Sequence, residues 1–589
     1  MPTQPDALHD ADAGERPDRE SAASHRERPA AAPVSSPAHL LPCLLILAAS
    51  LLLMLPAFIH GIPNGDDAAM HYRRHADFIE ALREGVWYPR WLPRSNFHQG
   101  TPVMLYYPPL PYYVTALFNV IVNAPFAALT LGCWLGLLLS GLNMYVFSQR
   151  LLPRRAALLT AVFYMAVPYH LFDFYHRAAL SEFWAFAWLP LVLDATRRIT
   201  EGRGLRAMLY LAASFAALLL THVTISFEMG LLLPVYLLLL TRHVRPLLQA
   251  AGAMALAAGV SAIFLVPLLL EVRYIRIDRA LRIPFNDYFL FRHLGSAFNR
   301  HIFPPPEGRR FFYLDGVNVM AVSLVVLLLV CAVVIWRERR RMNEYPLIKS
   351  LIWPVAAFTG LSLLLTTRLT APLWRVTPQF PYIQFPFRWL TVTAVGAAML
   401  FGVAAFITTR AERSRLLYAT LLSVAVIFTL SISALLVLRA SYNRQELEEG
   451  LNGLEVAEYR TIYLDRQKRL DEYVKPAVVV ESGNAQAEAV DDLGARQRYT
   501  ITATTDATLV MRPQFFPGWK AWLDDSPIAI APSREGNIQA TVAPGEHTLI
   551  LRFEDTWPRT LGKAISAVAA LLFLILLWLS YRRMRKGLV

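Results

Sequence analysis

The stretch LLPCLLILAASLLLMLPAFIHGIPNGDDAAMHYRR, residues 40–74, joins an apolar segment directly to a turn and a run of charged side chains. The apolar part covers about residues 39–59. This length is sufficient to cross a bilayer and is too long for the core of a signal peptide. We therefore expect a retained first transmembrane helix, followed at once by a loop that begins with Asp66 and Asp67.

The composition of the whole chain also indicates a membrane protein. Of the 589 residues, 55% are hydrophobic and only 17% are charged, and the mean hydropathy is +0.37, which is above the range of ordinary water-soluble domains. The net charge of +13 is concentrated in short arginine clusters that flank apolar segments. Such clusters are typical of the cytoplasmic loops of membrane proteins. The positive charge is therefore not taken as a sign of nucleic-acid binding. The three cysteines lie singly in apolar stretches, so neither a disulfide framework nor a zinc site is indicated.

Apolar runs long enough, or nearly long enough, to span a bilayer recur along the chain. They lie near residues 39–59, 126–148, 155–171, 182–197, 205–221, 229–241, 247–270, 317–336, 350–366, 387–408, 415–438 and 560–581. We expect a mainly α-helical, polytopic bundle of about twelve transmembrane helices. With the N-terminus inside, one alternating assignment puts the arginine clusters in the cytoplasm, as in a bacterial inner membrane with both termini cytoplasmic. The assignment requires that segment 105–122, with its prolines and tyrosines, stays at the outer interface without crossing.

Four regions result from this assignment. Residues 1–38 lack a hydrophobic period and are expected to form a disordered cytoplasmic tail. Residues 39–438 form the bundle, with a large outer loop at 60–125. Residues 439–559 contain alternating runs such as HTLILRF, broken by PGW and DDSP turns, which predict an extracytoplasmic β-sandwich. Residues 560–589 supply the last transmembrane helix and a basic cytoplasmic tail.

The insert carries Trp519 and Trp522, which invite a carbohydrate-binding interpretation. Because side chains alternate along a strand, these two tryptophans point to opposite faces. At least one of them is expected in the core.

Asp66 and Asp67 open a short amphipathic helix in the first outer loop, and His71 lies four residues after Asp67. That spacing puts Asp67 and His71 on one helical face, where they could share a proton, a substrate hydroxyl or a metal ion. The alternative is simple N-capping by one aspartate.

Further charged and polar side chains lie at predicted outer ends of helices. Arg177 could contact a phosphate and Glu182 a sugar hydroxyl, or the two could form an interfacial ion pair with each other. His176, His222 and Glu271 occupy similar boundaries, although a lone histidine there is more often a hydrogen-bonded structural residue. Gln384 and Arg388 lie where an outer loop re-enters the bilayer, and a buried Arg388 would need an anionic partner such as a lipid phosphate or a carboxylate.

Several of these segments resemble a known family. The runs GDDAAMHYRR, LREGVWYPRWLP and GTPVMLYYPPLPYY are similar to the first loop of the GT-C superfamily of membrane glycosyltransferases, and within it to the YfhO-like proteins described as 6-pyruvoyl-tetrahydropterin-synthase-related. The resemblance continues through PYHLFDFYHRAALSEFWAFAWLPL, LTHVTISFE, FPYIQFPFRWL, FFPGWKAWLDD and APGEHTLILRFED, so it spans most of the chain after residue 60.

The resemblance implies a GT-C-like fold and a glycosyltransferase with a polyprenyl-phosphate sugar donor. It also implies an extracytoplasmic acceptor, which could be a glycan, a lipid or a protein, and a first-loop carboxylate that acts as base or contacts a divalent metal ion such as Mg²⁺ or Mn²⁺. Asp66 and Asp67 are the matching positions. Membrane lipids are the other expected partners.

Two alternative functions remain open at this point. One is a transporter or flippase of lipid-linked glycans, and the other is a cell-envelope assembly scaffold. Transporters usually place ionisable residues near mid-membrane, whereas here they concentrate at the outer ends of helices, which favours chemistry at one face. The chain lacks the phosphate-loop, H-E-x-x-H and C-x-x-C motifs, so ATP-driven transport and zinc hydrolysis lose support.

Overall fold

The computed structural model describes residues 37–282, 285–291, 309–453, 455–464, 476–491 and 494–585. Most of the tail predicted for residues 1–38, up to residue 36, lies outside the described residues, as does part of the predicted outer loop after residue 282. The described residues from Leu41 onward belong to one compact unit, which contains the bundle and the segment before its last helix.

The helices follow the apolar segments closely. They are α1 (Pro37–His60), α2 (Ala68–Arg83), α3 (Leu110–Val122), α4 (Pro125–Ser148), α5 (Arg154–Ala166), α6 (Pro168–Tyr175), α7 (Leu180–Thr200), α8 (Gly204–Leu219), α9 (Val223–Leu240), α10 (Val244–Val260), α11 (Ala262–Glu271), α12 (Asp278–Leu281), α13 (Arg309–Arg337), α14 (Pro346–Leu365), α15 (Ala371–Val376), α16 (Trp389–Arg410), α17 (Arg415–Leu438), α18 (Arg444–Glu449) and α19 (Trp557–Arg585). Proline begins several of them, where its missing N–H costs no helical hydrogen bond.

The number of membrane-crossing helices is somewhat below the twelve expected. Within the described ranges, nine segments are long and apolar enough to span, and a tenth is added if α10 and the segment after it, bent by 77°, count as one. Two of the twelve expected segments fall short. Helix α8 has only 16 residues, and α7 carries the charged residues Glu182, Asp194, Arg197 and Arg198. Both nevertheless pack within the bundle.

Helix α3 has 13 residues, which corresponds to roughly 20 Å of helix and is shorter than the hydrocarbon core of a bilayer. It pairs with the beginning of α4 and does not form a full span. By length the helix is not among the candidate spans, and an outer, non-crossing position of segment 105–122 stays a prediction. Leu117, Val120 and Ile121 on its outer side remain exposed.

The connections expected on the outer side meet at one end of the bundle. Hydrogen bonds join them pairwise: Asn64 to Ser441, Asp66 to His176, Leu110 to Leu220, Leu290 to Thr366, and the Tyr106 hydroxyl to the carbonyl of Glu271. The six expected outer connections therefore form one continuous structure. The polar residues that they carry can act together.

The segment before α19 folds into two antiparallel sheets, as expected. The strands are β1 (Val478–Ser482), β2 (Ala485–Asp491), β3 (Arg496–Ala503), β4 (Ala507–Gln514), β5 (Trp519–Leu523), β6 (Ser526–Ile528), β7 (Ala531–Pro532), β8 (Asn537–Val542) and β9 (Gly545–Phe553). One sheet has the order β1-β4-β8-β7 and the other β2-β3-β9-β5-β6. Asp524 and Asp525 both adopt positive φ, +49° and +65°, which is the geometry of the two-residue hairpin turn between β5 and β6.

The β-sandwich is anchored on the first outer loop. The ring of Trp91 lies 5.1 Å from that of Trp519, and Arg90 Nη1 lies 2.7 Å from Asp555 Oδ1. The amide of Gln514 donates to the carbonyl of Gln99 at 2.8 Å. Trp519 is thus a core residue, as the alternation argument allowed for one of the two tryptophans.

Candidate functional site

The turn before α2 is fixed to the loop between α6 and α7 through backbone contacts. The amide of Asp66 donates to the carbonyl of His176 at 3.2 Å, and the amide of Asp67 donates to the carbonyl of Arg177 at 2.9 Å. A Cβ at Gly65 would lie 2.7 Å from the His176 carbonyl oxygen, so only glycine allows this close approach. The two loops therefore hold the Asp67 backbone in a defined position beside Arg177.

The Asp67 side chain is left available by this arrangement. Asp67 occupies the N-cap position of α2, yet its carboxylate makes no capping hydrogen bond, so the alternative of simple N-capping loses its main support. The side chain keeps some contact with solvent although protein encloses most of it, whereas Asp66 is exposed. Burial raises the pKa of Asp67 to about 6, against the opposing influence of Arg177, Arg388 and Arg74. A carboxylate with this pKa is suited to accept a proton near neutral pH.

Glu182, in the first turn of α7, joins two arginines from different loops. Its Oε2 accepts from Arg177 Nη1 at 2.7 Å and lies 3.2 Å from Arg388 Nε. Its Oε1 accepts from the hydroxyls of Tyr169 at 2.9 Å and Thr391 at 3.1 Å. Three hydrogen-bond donors and the ion-paired Arg388 surround a side chain that is 1% exposed, so Glu182 is a positioning group for the arginines.

Arg177 also donates to Asp173 Oδ1 at 2.6 Å, so two protein carboxylates neutralise it. This geometry matches the ion-pair alternative for Arg177 and Glu182. The arginine is 4% exposed in its side chain. Its positive charge still acts on Asp67 across the loop contact.

Arg388 differs from Arg177 in that part of its guanidinium makes no hydrogen bond to the described residues. Its Nη1 donates to the carbonyl of Ile383 at 2.8 Å and to Gln384 Oε1 at 3.1 Å. The backbone of Gln384 has a φ of +66°, a conformation that costs energy for residues other than glycine. No hydrogen bond within the described ranges uses Arg388 Nη2, and the side chain is 12% exposed. Arg388 therefore keeps a donor edge for a ligand oxygen.

The expectation that Asp67 and His71 share a proton directly is not met. The His71 Nδ1 lies 2.8 Å from the Tyr112 hydroxyl, and its Nε2 lies 3.4 Å from the Tyr107 hydroxyl. Both ring nitrogens thus face tyrosines of the first loop. Burial, reinforced by the charge of Arg74, lowers the pKa of His71 well below its usual value, so the ring is neutral at physiological pH.

Three other residues predicted for the site have structural partners. His222 caps α9, where its Nδ1 accepts from the amide of Ile225 at 3.1 Å; the ring is within electrostatic range of Glu182 and Arg388. His176 Nε2 donates to the carbonyl of Leu436 at 2.8 Å.

Glu271 is the third, and it lies apart from this cluster. Its Oε2 lies 3.0 Å from Arg559 Nε, and its Oε1 accepts from Thr556. Both partners belong to the start of α19 and the turn before it. Glu271 is therefore placed to anchor the last helix, because a buried carboxylate is costly unless it is paired and hydrogen-bonded.

Sequence reasoning missed the ion pair between Arg74 and Glu455. Arg74 Nη2 donates to Glu455 Oε1 at 2.6 Å, and both side chains are 0% exposed. The Arg74 guanidinium also stacks at 4.4 Å over the ring of Tyr107. Arg74 follows His71 on the same short helix, so an arginine on the buried face was the available signal. Its partner Glu455 is 381 residues away in the chain. The sequence around Glu455 gave no signal of the pair.

Two buried carboxyl groups near Glu182 were also missed. Asp173 holds Arg177, and Glu228 on α9 has both carboxyl oxygens buried without a hydrogen-bond partner among the described residues. Glu228 is within electrostatic range of Glu182 and Arg388. Glu228 lies six residues after His222, and that position alone did not predict its burial.

A divalent metal ion at Asp66 and Asp67 stays a prediction. Among the residues that the structure describes, no three His, Cys, Asp or Glu side chains are grouped as a metal site requires. The charges that act on Asp67 include three arginines, which oppose cation binding.

Comparisons with known proteins give one sequence relative and several structures. The chain is 26% identical over 240 residues to an uncharacterised protein of Lactococcus lactis subsp. cremoris, which covers 38% of this chain and 39% of the relative. The chain thus spans about two fifths of that relative's length.

Among solved structures, the Archaeoglobus fulgidus oligosaccharyltransferase in the apo form is similar with 13% identity and a TM-score of 0.43, over 72% of this chain and 60% of that one. The archaeal oligosaccharyltransferase AglB in complex with an inhibitory peptide and a dolichol-phosphate is similar with 12% identity and a TM-score of 0.38, over 73% and 61% of the two chains. The chain spans about three fifths of the length of these proteins.

The family resemblance read from the sequence can be tested directly. Residues 104–442, more than half of the chain, match the family described as "6-pyruvoyl-tetrahydropterin synthase related domain; membrane protein". The match includes the loop that carries Arg177 and the re-entrant segment that carries Arg388. The resemblance is confirmed for residues 104–442, which leaves out Asp66, Asp67 and the β-sandwich, and the chain belongs to the 6-pyruvoyl-tetrahydropterin synthase related family of membrane proteins.

Proposed function

We propose that this membrane protein is a glycosyltransferase that moves a sugar from a polyprenyl-phosphate donor to an acceptor outside the cytoplasm. The observation that carries the proposal is the Asp67 carboxylate, which makes no capping bond and has a pKa of about 6. It lies among arginines at the end of the bundle where all the expected outer loops meet.

The proposed reaction divides the work between Asp67 and Arg388. Asp67 accepts the proton from an acceptor hydroxyl as that oxygen forms its bond to the anomeric carbon of the sugar. The bond between this carbon and the phosphate oxygen breaks, and the polyprenyl phosphate leaves with the bonding electrons. The donor edge of Arg388 stabilises the charge that develops on the phosphate.

The other charged groups of the site position these two. Glu182 bridges Arg177 and Arg388, which come from different loops, and so sets where the free edge of Arg388 lies. Asp173 balances Arg177. Because these pairs satisfy one another, one guanidinium edge remains for a ligand and the net charge of the buried cluster stays small, which lowers its desolvation cost.

The sidedness of the site rests on the arginine clusters of the sequence. An outer position for the loops places transfer on the extracytoplasmic face of a bacterial inner membrane, with both termini in the cytoplasm. A lipid-linked donor fits this location, because a nucleotide sugar is confined to the cytoplasm while a polyprenyl phosphate stays in the bilayer.

The test compares wild type, Asp67→Asn, Asp66→Asn and Arg388→Lys in a strain that lacks the chromosomal copy. Asp66 is a matched control, since it is adjacent and carries the same charge but is exposed. Mass spectrometry would measure envelope glycans and polyprenyl-linked sugars, with the amount of folded protein checked in each strain.

We expect Asp67→Asn to remove one glycan modification while its lipid-linked precursor accumulates, and Asp66→Asn to retain it. Arg388→Lys should fall between the two, because an ammonium keeps the charge and loses the guanidinium edge. Unchanged glycans with folded Asp67→Asn protein would overturn the proposal. Precursor trapped on the cytoplasmic leaflet would instead identify a flippase.

A further inference from the structure

A cavity of about 610 Å³ lies between the first outer loop and the β-sandwich. The C-terminal end of α2 and the loop after it form one wall, and the sandwich with the start of α19 forms the other. Its volume falls within the ~300–1,000 Å³ typical of small-ligand sites. The lining begins at Glu80, which lies roughly 20 Å from Asp67 along α2 at 1.5 Å per residue.

Aromatic rings make up much of the cavity wall. Trp87, Tyr88, Trp91 and Tyr113 all line it, and Trp87 is 86% exposed. The backbone at Trp87 is held in place, because the Tyr113 hydroxyl donates to its carbonyl at 2.6 Å. The exposed ring of Trp87 suits the C–H face of a sugar, since an aromatic ring presents an apolar face at low entropic cost. Tyr88, Tyr113 and the buried Trp91 form other parts of the wall.

A buried arginine supplies unused donors to the same cavity. Arg90 is 6% exposed, and its Nη1 donates to Asp555 Oδ1 at 2.7 Å. Its Nε and Nη2 atoms are buried and make no hydrogen bond with the described residues. Leaving such donors unpaired is costly. These atoms are closed to solvent and the guanidinium stacks 4.4 Å over the Tyr88 ring, so a ligand oxygen in the cavity would satisfy them after a shift of the Arg90 side chain.

The charges of the wall disfavour an anionic ligand. Glu80, Glu84 and Asp555 line the cavity together with two cations, Arg90 and Lys563. The surplus of one carboxylate opposes a phosphate or an acidic headgroup. It favours a ligand with many neutral hydroxyls, which donate to carboxylates and accept from a guanidinium.

We propose that this cavity is a second saccharide site, which binds a neutral oligosaccharide between the first outer loop and the β-sandwich. Trp87 stacks on a sugar face, Arg90 donates to ring or hydroxyl oxygens, and Glu84 accepts from hydroxyls. Such a site goes beyond the transfer chemistry, because it holds a glycan well away from Asp67. Its occupancy is measurable without any turnover.

The experiment measures binding of the purified full-length protein in detergent to an array of immobilised neutral and acidic oligosaccharides. We expect wild type to bind a subset of the neutral ones. Trp87→Ala and Glu84→Gln should weaken that binding by about tenfold or more. Both residues are exposed, so the variants are expected to fold. Trp353→Ala is the matched control, because Trp353 is 78% exposed and lies on α14, outside the cavity lining.

Asp67→Asn separates this proposal from the transferase, since it should bind the array as wild type does. Three results would overturn the saccharide site: no neutral oligosaccharide bound by wild type, binding that survives in Trp87→Ala and Glu84→Gln, or retention of acidic glycans alone. Native mass spectrometry adds a fourth. A phospholipid adduct lost in Trp87→Ala, without glycan binding, would assign the cavity to a lipid headgroup.

Discussion

Breaking the buried ion pair of Arg74 and Glu455 should destabilise helix α2 by an amount that follows from its burial. Both side chains are 0% exposed, and the shorter contact is 2.6 Å. Glu455→Gln would leave a buried guanidinium without its counter-charge, with Arg73 nearby as a second cation. Removing one partner of a buried pair costs about 3–5 kcal/mol. Because Arg74 lies on α2, the loss should appear as easier opening of that helix.

Hydrogen exchange measured by mass spectrometry on peptides from α2 is the suitable assay, since it reports local opening without assuming two-state unfolding of the whole protein. A loss of about 3–5 kcal/mol corresponds to exchange faster by roughly two to three and a half decades, at 1.4 kcal/mol per tenfold. The increase is smaller if α2 already opens by an independent local route.

Glu448→Gln is the matched control. Glu448 pairs with Arg444 at 2.9 Å, but the two side chains are 46% and 70% exposed, so the same substitution should cost only about 0–1 kcal/mol. Equal exchange rates in the two variants would refute the buried pair. Replacing both partners by Arg74→Met and Glu455→Leu should recover much of the loss, because a buried ion pair is often no more stable than apolar side chains of similar volume.

Three further predictions concern Asp67 and the turn that holds it. The rate of transfer should decrease as pH falls below about 6, because burial raises the pKa of Asp67 to about 6. Arg388→Gln should move this acid limb to higher pH by about one unit, because it removes a charge that lowers the pKa. A pH–rate profile checks both. A carboxyl with a raised pKa in the folded state loses stability as pH rises from its unfolded value of about 4 to its folded value, so Asp67→Asn should melt at a higher temperature than wild type at pH 7.5 and at the same temperature at pH 4. Gly65→Ala should abolish transfer, since its Cβ would meet backbone atoms at 2.7 Å, and it should destabilise the protein by about 1–3 kcal/mol in thermal melts; full activity would contradict the role given to this loop contact.

The architecture was largely predictable because its signals are local. Apolar length, arginine position and strand alternation each act within a short stretch of chain, and they predicted the bundle, the β-sandwich and the short helix α3. The count of spans was less secure because α7 is both charged and buried. Its Asp194 forms ion pairs with Arg150, Arg197 and Arg198 inside the protein, and such pairing cannot be read from hydropathy alone.

The site was predictable in its members and less so in their partners. Asp67, Arg177, Glu182 and Arg388 were expected at the outer ends of helices, and the structure brings them together. The sequence could not show that His71 would face two tyrosines, because Tyr107 and Tyr112 return to α2 only through the fold of the first loop. Glu271 was misplaced for the same reason, since Arg559 lies 288 residues later.

A general base at a membrane surface has to satisfy two opposing requirements. Its carboxylate needs free lone pairs for a substrate proton, but a carboxylate without hydrogen bonds has nothing to fix its direction. For Asp67, the base in the reaction that we propose, the backbone provides the fixation. The amides of Asp66 and Asp67 are hydrogen-bonded across to the His176 and Arg177 carbonyls, so the same contact that holds Asp67 also sets its distance from Arg177. The carboxylate stays free of a capping bond while its position is determined, and the arginines that keep its pKa from rising further belong to the network that would receive the phosphate.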